Sequence, residues 1–381
     1  MKKIAIIGAS ELQNPLILKA KEMGYETHVF AWECGDIGEK TADYFYPISI
    51  TEKEEILEKC KEINVDAVCT IASDLGNVVA SFVARQMGLP ANSEYCIKVS
   101  SNKYEMRKAF EENNIAVPHF FEISDVDSID LLEGIQYPVI VKPTDRSGSR
   151  GIAKLDSPKG LGEAIKKAID LSFEKKAIVE EYIEGNEYSM ECISFEGEHK
   201  MLAVTKKYTT GAPHFIETGH MEPSDLGEQT IEKAKEEIFR ALNALDIKMG
   251  ASHPEFKVDR EGNIKIIEIG ARMGGDCIGS DLVRLSTGYD FTKMVIQTAL
   301  GEKPNFKKVK EPSNAAVKYI FSKDDYDYYL ELKKSNPEII NFSSEILLDD
   351  SDVVDSSSRF GFYIIENKDR ELIKGVMGRS G

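Results

Sequence analysis

The sequence has no C-x-x-C pair and no zinc-type cysteine and histidine spacing: its six cysteines, Cys34, Cys60, Cys69, Cys96, Cys192 and Cys277, are scattered. That excludes a disulfide-stapled module and a structural zinc site, and points, for most of the six, to small buried hydrophobes in a reducing cytoplasm. A long apolar run is missing as well. After Lys2-Lys3 only Ile4 to Gly8 precede polar residues, too short for a signal segment or a membrane span, so the stretch reads as a strand. Positive charge is scarce, with 65 acidic residues against 48 basic ones and a formal net charge of -17. Nucleic acid and anionic membrane are therefore not expected as partners, and any anionic ligand must be met by a local basic cluster. Glycine is absent where a dinucleotide would need it. Gly8 closes the first strand, but Ala9-Ser10-Glu11-Leu12-Gln13 follows instead of the remaining glycines of G-x-G-x-x-G.

What is present is a chain of 381 residues, long enough for two or three domains. Residues 1 to about 95 alternate strand and helix patterns: Ile4 to Gly8, a helix from Asn14 to Met23, Thr27 to Ala31, a helix around Ile56 to Ile63, and Asp66 to Thr70. That rhythm implies a parallel α/β sheet, with Ser10 and Ser73-Asp74 at the strand carboxyl ends where a shared cleft would form. Gly88-Leu89-Pro90 marks the exit. A helix from Ser100 to Asn114 follows, with Asn102 as its cap and Glu105 completing a capping box. Lys103 lies in its first turn, the end that favours anions; it either meets a phosphate or is a surface lysine.

Residues 115 to 183 read as a small lobe. Tyr137-Pro138-Val139-Ile140-Val141-Lys142-Pro143 is an apolar strand carrying one lysine, and Asp145-Arg146-Ser147-Gly148-Ser149-Arg150-Gly151 follows. Glycine amides, serine hydroxyls and arginine charge give this loop the chemistry of a phosphate flap, with an ordinary surface turn as the alternative. It is not a Walker A loop, because no G-K-[ST] precedes a helix. An amphipathic helix through Leu161, Ala164, Ile165, Ala168 and Ile169 should cover the lobe's sheet. The strand Ala177 to Ile183 then carries Glu180-Glu181-Tyr182-Ile183 and leaves through Gly185-Asn186 into Glu187 and the alternating Tyr188, Met190 and Cys192.

The stretch from Met249 to Asp276 has hairpin chemistry: strand formers on either side of Asp259-Arg260-Glu261-Gly262-Asn263. Folded symmetrically about Glu261-Gly262, it sets Glu255 opposite Glu268. Directly opposed carboxylates are destabilising in a sheet, so a cation should lie between them, and magnesium carrying nucleotide phosphates is one such cation. The alternative is a solvated glutamate pair at a strand end.

Taken together, the order of these parts resembles the ATP-grasp superfamily over roughly residues 1 to 300. Within it, Lys206-Lys207-Tyr208-Thr209-Thr210-Gly211-Ala212-Pro213, then Glu217-Thr218-Gly219-His220, Pro223-Ser224 and EIGARMGGD look like the carboxylate–amine ligases of the L-amino acid ligase type. The resemblance implies a Rossmann-like pre-ATP-grasp domain at 1–95, an ATP-grasp domain at 96–305 with its flap lobe at about 115–183, and a small β-rich carboxyl-terminal lobe at 306–381. It implies that Lys103 and Lys142 hold ATP phosphates and that the flap, with Ser147, Gly148, Ser149 and Gly151, closes over them. Glu180, Glu181, Tyr182 and Ile183 would line the adenine pocket, with Glu187 on the ribose. Glu255 and Glu268 would hold Mg2+ (or Mn2+ in its place), and Arg272 would contact an acyl phosphate. The family's usual asparagine two residues after the second glutamate is Gly270 here, which leaves two protein carboxylates plus phosphate and water for the metal. The implied activity joins a small-molecule carboxylate to an amine through an acyl phosphate, releasing ADP and phosphate. A carbamoyl-phosphate-synthase-like carboxylate kinase and a non-catalytic ATP-binding module are the alternatives. His220 and Glu217 fall where substrate contacts belong; His220 either positions or deprotonates the amine, or is a structural histidine at a strand end. His253 lies beside the metal strand.

The last 80 or so residues say less. Ala315 to Phe321, Glu345 to Leu348 and Arg359 to Ile365 read as strands, separated by Asp349-Asp350-Ser351-Asp352 and Ser356-Ser357-Ser358, and GVMGRSG should fray. This lobe either caps the site or forms a homodimer contact.

Overall fold

The computed structural model describes residues 1–126, 132–212, 215–349 and 351–379. Pro213, Asp350, Ser380 and Gly381, each part of a stretch read above, lie outside the described residues. Among the described residues, three sheets carry the structure. The first is parallel, β3-β2-β1-β4, built from β1 (Lys3–Ile7), β2 (Glu26–Phe30), β3 (Tyr44–Tyr46) and β4 (Ala67–Cys69). Buried Ile4, Ala5, Ile6 and Ile7 explain its short apolar run, because helices cover both faces of a parallel sheet. The short β3 and the helix Asp74–Gln86 were not foreseen in the sequence.

The small lobe is antiparallel, β5-β8-β6-β7, formed by β5 (Phe120–Ile123), β6 (Val139–Pro143), β7 (Ala153–Leu155) and β8 (Ala177–Glu181). The helix Leu161–Leu171 packs on it through Leu161, Ala164, Ile165 and Ala168, the expected stripe.

The third sheet has eight strands in the order β13-β12-β9-β10-β11-β14-β16-β15. Its members are β9 (Asn186–Phe195), β10 (Glu198–Thr209), β11 (Glu217–Glu222), β12 (Gly250–Val258), β13 (Ile264–Gly270), β14 (Asn314–Tyr319), β15 (Ile340–Ser343) and β16 (Phe362–Asn367). One face is apolar: Tyr188, Met190, Cys192, Val204, Phe256 and Ile266 share a core with Ala234, Ile238, Ala241 and Leu242 of the helix Glu228–Ala244. The intervening residues are polar yet also buried, Ser189 and Glu191 among them. Alternation therefore marks a sheet buried on both sides, with the charged face turned toward the other two sheets.

Three sequence expectations need correction. Residues 100–101 end a preceding helix, Glu94–Ser101, and the lysine helix is Lys103–Glu112, capped as expected by Asn102 on Tyr104 and Glu105. The capping box is half made, because the Glu105 carboxylate turns to Lys98 instead. Glu345 to Leu348 form no strand; β15 comes earlier, and the carboxyl-terminal strands extend the central sheet beside β11, with the helices Lys323–Ser335 and Arg370–Met377 packed on them. A single stretch cannot reveal that its partner strand is already part of a sheet formed 100 residues earlier.

Candidate active site

The β12–β13 hairpin does set Glu255 directly opposite Glu268. The route differs from the symmetric fold. The turn closes between Asp259 and Asn263, with Gly262 at φ 81° and the Asp259 carboxylate accepting from the amides of Glu261 and Asn263. Pairing near that turn is one residue out of step, and a bulge after Glu255 corrects it.

Side chains of the same polarity line up around this pair because residues two apart share a strand face. His253, Glu255 and Lys257 stand on β12, Glu187 and Glu191 on β9, Lys207 on β10, and His220 lies across from Lys207 on β11. Lys207 Nζ sits 2.6 Å from Glu255, 3.5 Å from Glu187 and 3.8 Å from Glu217. Burial penalises the Lys207 ammonium, but these three acids outweigh it and raise its pKa. Lys103 Nζ lies 3.1 Å from Glu268 and donates to the Arg146 carbonyl of the flap at 2.7 Å. The like charges that opened the question are thus bracketed by lysines. His253 Nε2 is 3.0 Å from Glu255, and its other nitrogen contacts the buried Glu191, which also accepts from the Gly274 amide. Burial disfavours the His253 cation, yet Glu191 and Glu255 prevail and lift its pKa to about 9. A side chain at Gly274 would meet His253 Nδ1 at 2.7 Å, so glycine is required by close approach.

Lys142 is buried with Nζ 2.5 Å from Glu180, whose other oxygen accepts from Arg107 Nε at 2.9 Å. Arg107 also donates to the carbonyls of Ile266 and Ile267, fastening the β12–β13 hairpin to the small lobe. Burial alone would raise the Glu180 carboxyl; the Arg107 and Lys142 charges dominate and hold it at about 2. A depressed carboxyl contributes stability that is complete above the unfolded value, about 4.3, and is lost as pH falls toward the folded one. The unfolding free energy from urea titrations should therefore drop between about pH 4.5 and pH 2, by an amount on the order of 2 kcal/mol from this group. Glu180→Gln should be less stable at neutral pH and show a shallower fall in that window; an unchanged acid profile would contradict the assignment.

Most of these groups, though not Arg107, Glu191 or Gly274, open on one cavity of about 680 Å³. It is lined by Lys103, Lys142, Ser147, Gly148, Ser149, Glu180, Glu181, Tyr182, Ile183, Glu187, His220, Glu255, Glu268 and Arg272, so the sequence candidates converge. Gly151 is the exception: it sits behind the flap against Leu171 and Pro143 and does not line the cavity. Arg272 donates to Asp74 from Nε at 2.8 Å and Nη2 at 3.1 Å, and this pair fills the space a side chain at Gly270 would need. Lys257, Lys207 and His253 also line the cavity and were missed as functional candidates, although their spacing from Glu255 or Glu187 was a readable signal. Lys257 donates to the Ile183 carbonyl at 3.1 Å and lies over the Tyr182 ring. Ser356, Ser357 and Arg359 line the cavity too, so the carboxyl-terminal lobe caps the site.

Residues 135–281 match the model of the ATP-grasp domain. The chain carries an ATP-grasp domain. Its solved likenesses span the whole fold: an L-amino acid ligase from Bacillus licheniformis superposes with a TM-score of 0.83 at 24% identity, over 98% of this chain and 95% of that one. Among curated relatives, a D-alanine–D-alanine ligase from Clostridium perfringens is 25% identical over 219 residues, 52% of this chain and 71% of the relative. A carbamoyl phosphate synthase large chain from a Thermoanaerobacter species is 24% identical over 263 residues, 68% of this chain. The chain spans about a quarter of that relative's length, 24%.

Among the described residues no cluster of three His, Cys, Asp or Glu side chains could hold a metal unaided. The donor set suits magnesium nonetheless, since that ion is commonly held by one or two carboxylates while phosphate oxygens and water complete its shell. Glu255 and Glu268, opposed and open to a lysine-rich cavity, meet that requirement. Among the described residues no helix is long and apolar enough to cross a membrane.

Proposed function

We propose that this chain is an ATP-dependent carboxylate–amine ligase that forms an amide or peptide bond through an acyl phosphate. The observation that carries the reading is the convergence of Glu255, Glu268, Lys103, Lys142 and Arg272 on one cavity whose walls also hold Glu217, His220 and Asp276. Phosphates have cations at one end and an amine has acids and a neutral histidine at the other. Magnesium held by Glu255 and Glu268 would neutralise phosphate charge. The chain's own side chains do the rest. Lys103 and Lys142 bind the phosphates, and the flap residues Ser147 to Ser149 close over them and exclude water. Tyr182, Ile183 and Lys257 form the adenine wall, and Glu187 serves the ribose. Arg272, oriented by Asp74, steadies the acyl phosphate and the oxyanion of the later tetrahedral intermediate. Burial keeps His220 neutral, lowering its pKa, so Nε2 can take the proton of the attacking amine. The amine lone pair then forms the C–N bond as the C–O bond to phosphate breaks. No side-chain nucleophile is required, and six free cysteines suit a reducing cytoplasm.

The match to carbamoyl phosphate synthase large chains favours a second reading, a carboxylate kinase that releases its acyl phosphate. ADP release measured with pools of amino acids, with products identified by mass spectrometry, separates the two. Amine-dependent turnover with a condensed product is expected. ADP release indifferent to amine selects the kinase, and silence with every pool would reject both in favour of a nucleotide-binding module.

A further inference from the structure

The loop that follows Arg272 ends in a built feature that the phosphate chemistry does not use. Asp276 and Cys277 both hold positive φ, 51° and 61°, immediately before a π-helical turn at Ile278–Leu282. Non-glycine residues adopt that backbone only when their surroundings enforce it. Here the enforcement comes from the carboxyl-terminal lobe. Arg359 grips the Asp276 carboxylate with Nη1 at 3.0 Å and Nη2 at 2.9 Å, while its Nε donates to the Ser356 carbonyl at 2.8 Å. The guanidinium lies 3.6 Å from the Tyr319 ring centre, and the Tyr319 hydroxyl donates to the Asp276 carbonyl at 3.0 Å. Ser356 donates in turn to Glu217 at 2.8 Å.

Arg359 spends its fork on Asp276, so the open valences belong to the acid and to its neighbour. His220 is 1% exposed and lines the cavity, and among the described residues neither ring nitrogen has a hydrogen-bond partner. Its Nε2 stands 3.7 Å from Asp276 Oδ2, too long for a hydrogen bond and suited to a group that touches both. A buried orphan histidine is costly unless a ligand satisfies it. The group that fits between a fixed carboxylate and a neutral imidazole is a primary ammonium: it donates to Asp276 and can give a proton to His220.

The geometry points to Asp276 as the carboxylate that holds the acceptor substrate's ammonium, with Arg359 of the carboxyl-terminal lobe as its positioning residue. This rests on the ligase reading. After the proton passes to His220 Nε2, the amine nitrogen is neutral and free to attack. Burial disfavours the Asp276 charge, but the Arg359 guanidinium outweighs it and keeps the carboxyl ionised.

Asp276→Asn removes the charge and keeps the shape. ADP release is followed with an equimolar mixture of the proteinogenic L-amino acids, alone and then with hydroxylamine, a small neutral nucleophile that needs no ammonium site. The variant should need about 10- to 100-fold more of the mixture for half-saturation, with the KM for ATP unmoved. Hydroxylamine should restore most of the lost rate. Arg359→Lys keeps the charge and loses the fork, and should show the same pattern to a smaller degree; it decides the matter if Asp276→Asn fails to fold. A folded variant that loses equally with and without hydroxylamine overturns the assignment and leaves the ligase reading standing. Absence of ADP release from the wild type under both conditions overturns both.

Discussion

Glu268→Gln is expected to lower ATP turnover by at least about a hundredfold, the scale seen when one preorganised charge-stabilising group is lost, while the protein stays folded. Glutamine keeps the length and shape of the side chain but cannot supply the negative charge that a magnesium–phosphate complex needs beside Glu255. It also leaves Lys103, 3.1 Å away, without its carboxylate. The fold should tolerate the change because β13 is anchored elsewhere. Ile266 and Ile269 are buried in the main core, and Arg107 binds the carbonyls of Ile266 and Ile267. A stability change within about 1 kcal/mol is anticipated for a side chain that remains partly solvated. Coupled ADP release and thermal melting, run on one preparation, give both numbers. Normal ADP release from a folded variant would remove the metal assignment and with it the reason for the opposed glutamates.

Lys142→Ala should weaken ATP and ADP binding by roughly 10- to 100-fold, as expected for one charge-assisted hydrogen bond in a closed site. Lys206→Ala should change it by less than about twofold, in line with an exposed ion pair. The two lysines look alike in composition and differ in address. Lys142 is 5% exposed and lines the cavity, whereas Lys206 points away toward Asp225 at 2.5 Å. Burial is the chief reason the Lys142 pKa is lowered, and the charges of Glu180 and, to a smaller degree, Glu268 limit that fall. Such an ammonium, poorly hydrated and held in place, has more to gain from a phosphate than a solvated one. Removing Lys142 also unpairs part of a buried ion cluster, so calorimetric titration of ADP should be made on protein shown to be folded. Equal losses for the two variants would mean the phosphates lie elsewhere in the cavity.

The legibility of this site follows from the range over which each signal acts. Glu255 and Glu268 were readable because a short turn joins their strands and register over a dozen residues follows from turn chemistry. Even there the bulge after Glu255 was hidden, since it compensates a turn that closes one residue off the symmetric position. Lys142 and the flap were readable as local composition. Lys207, His253 and Lys257 were within reach of the same logic, two residues from Glu255 or across from Glu187, but a basic side chain on a strand carries no local sign of whether it faces an acid or solvent. Arg107 offered no such signal. It sits in the middle of an ordinary amphipathic helix, and its value lies wholly in reaching Glu180 and two carbonyls far along the chain. Arg359 is the extreme case: β16 joins the central sheet through β14, and that order of strands alone brings the arginine over Asp276.

By itself, then, the amino-acid order determined the parallel α/β start, the capped lysine helix, the glycine- and serine-rich flap and the glutamate-bearing hairpin, because propensity, turn geometry and strand alternation act between near neighbours. Only the tertiary structure decided which charges meet. It turned one face of an eight-stranded sheet into a line of paired acids and bases, showed that Lys207 and Lys103 flank the opposed glutamates, and made the carboxyl-terminal lobe a cap with Arg359 in the site. A charge is costly to bury unless its partner arrives, and those partners come from strands and helices separated by scores of residues, a distance that no local pattern spans.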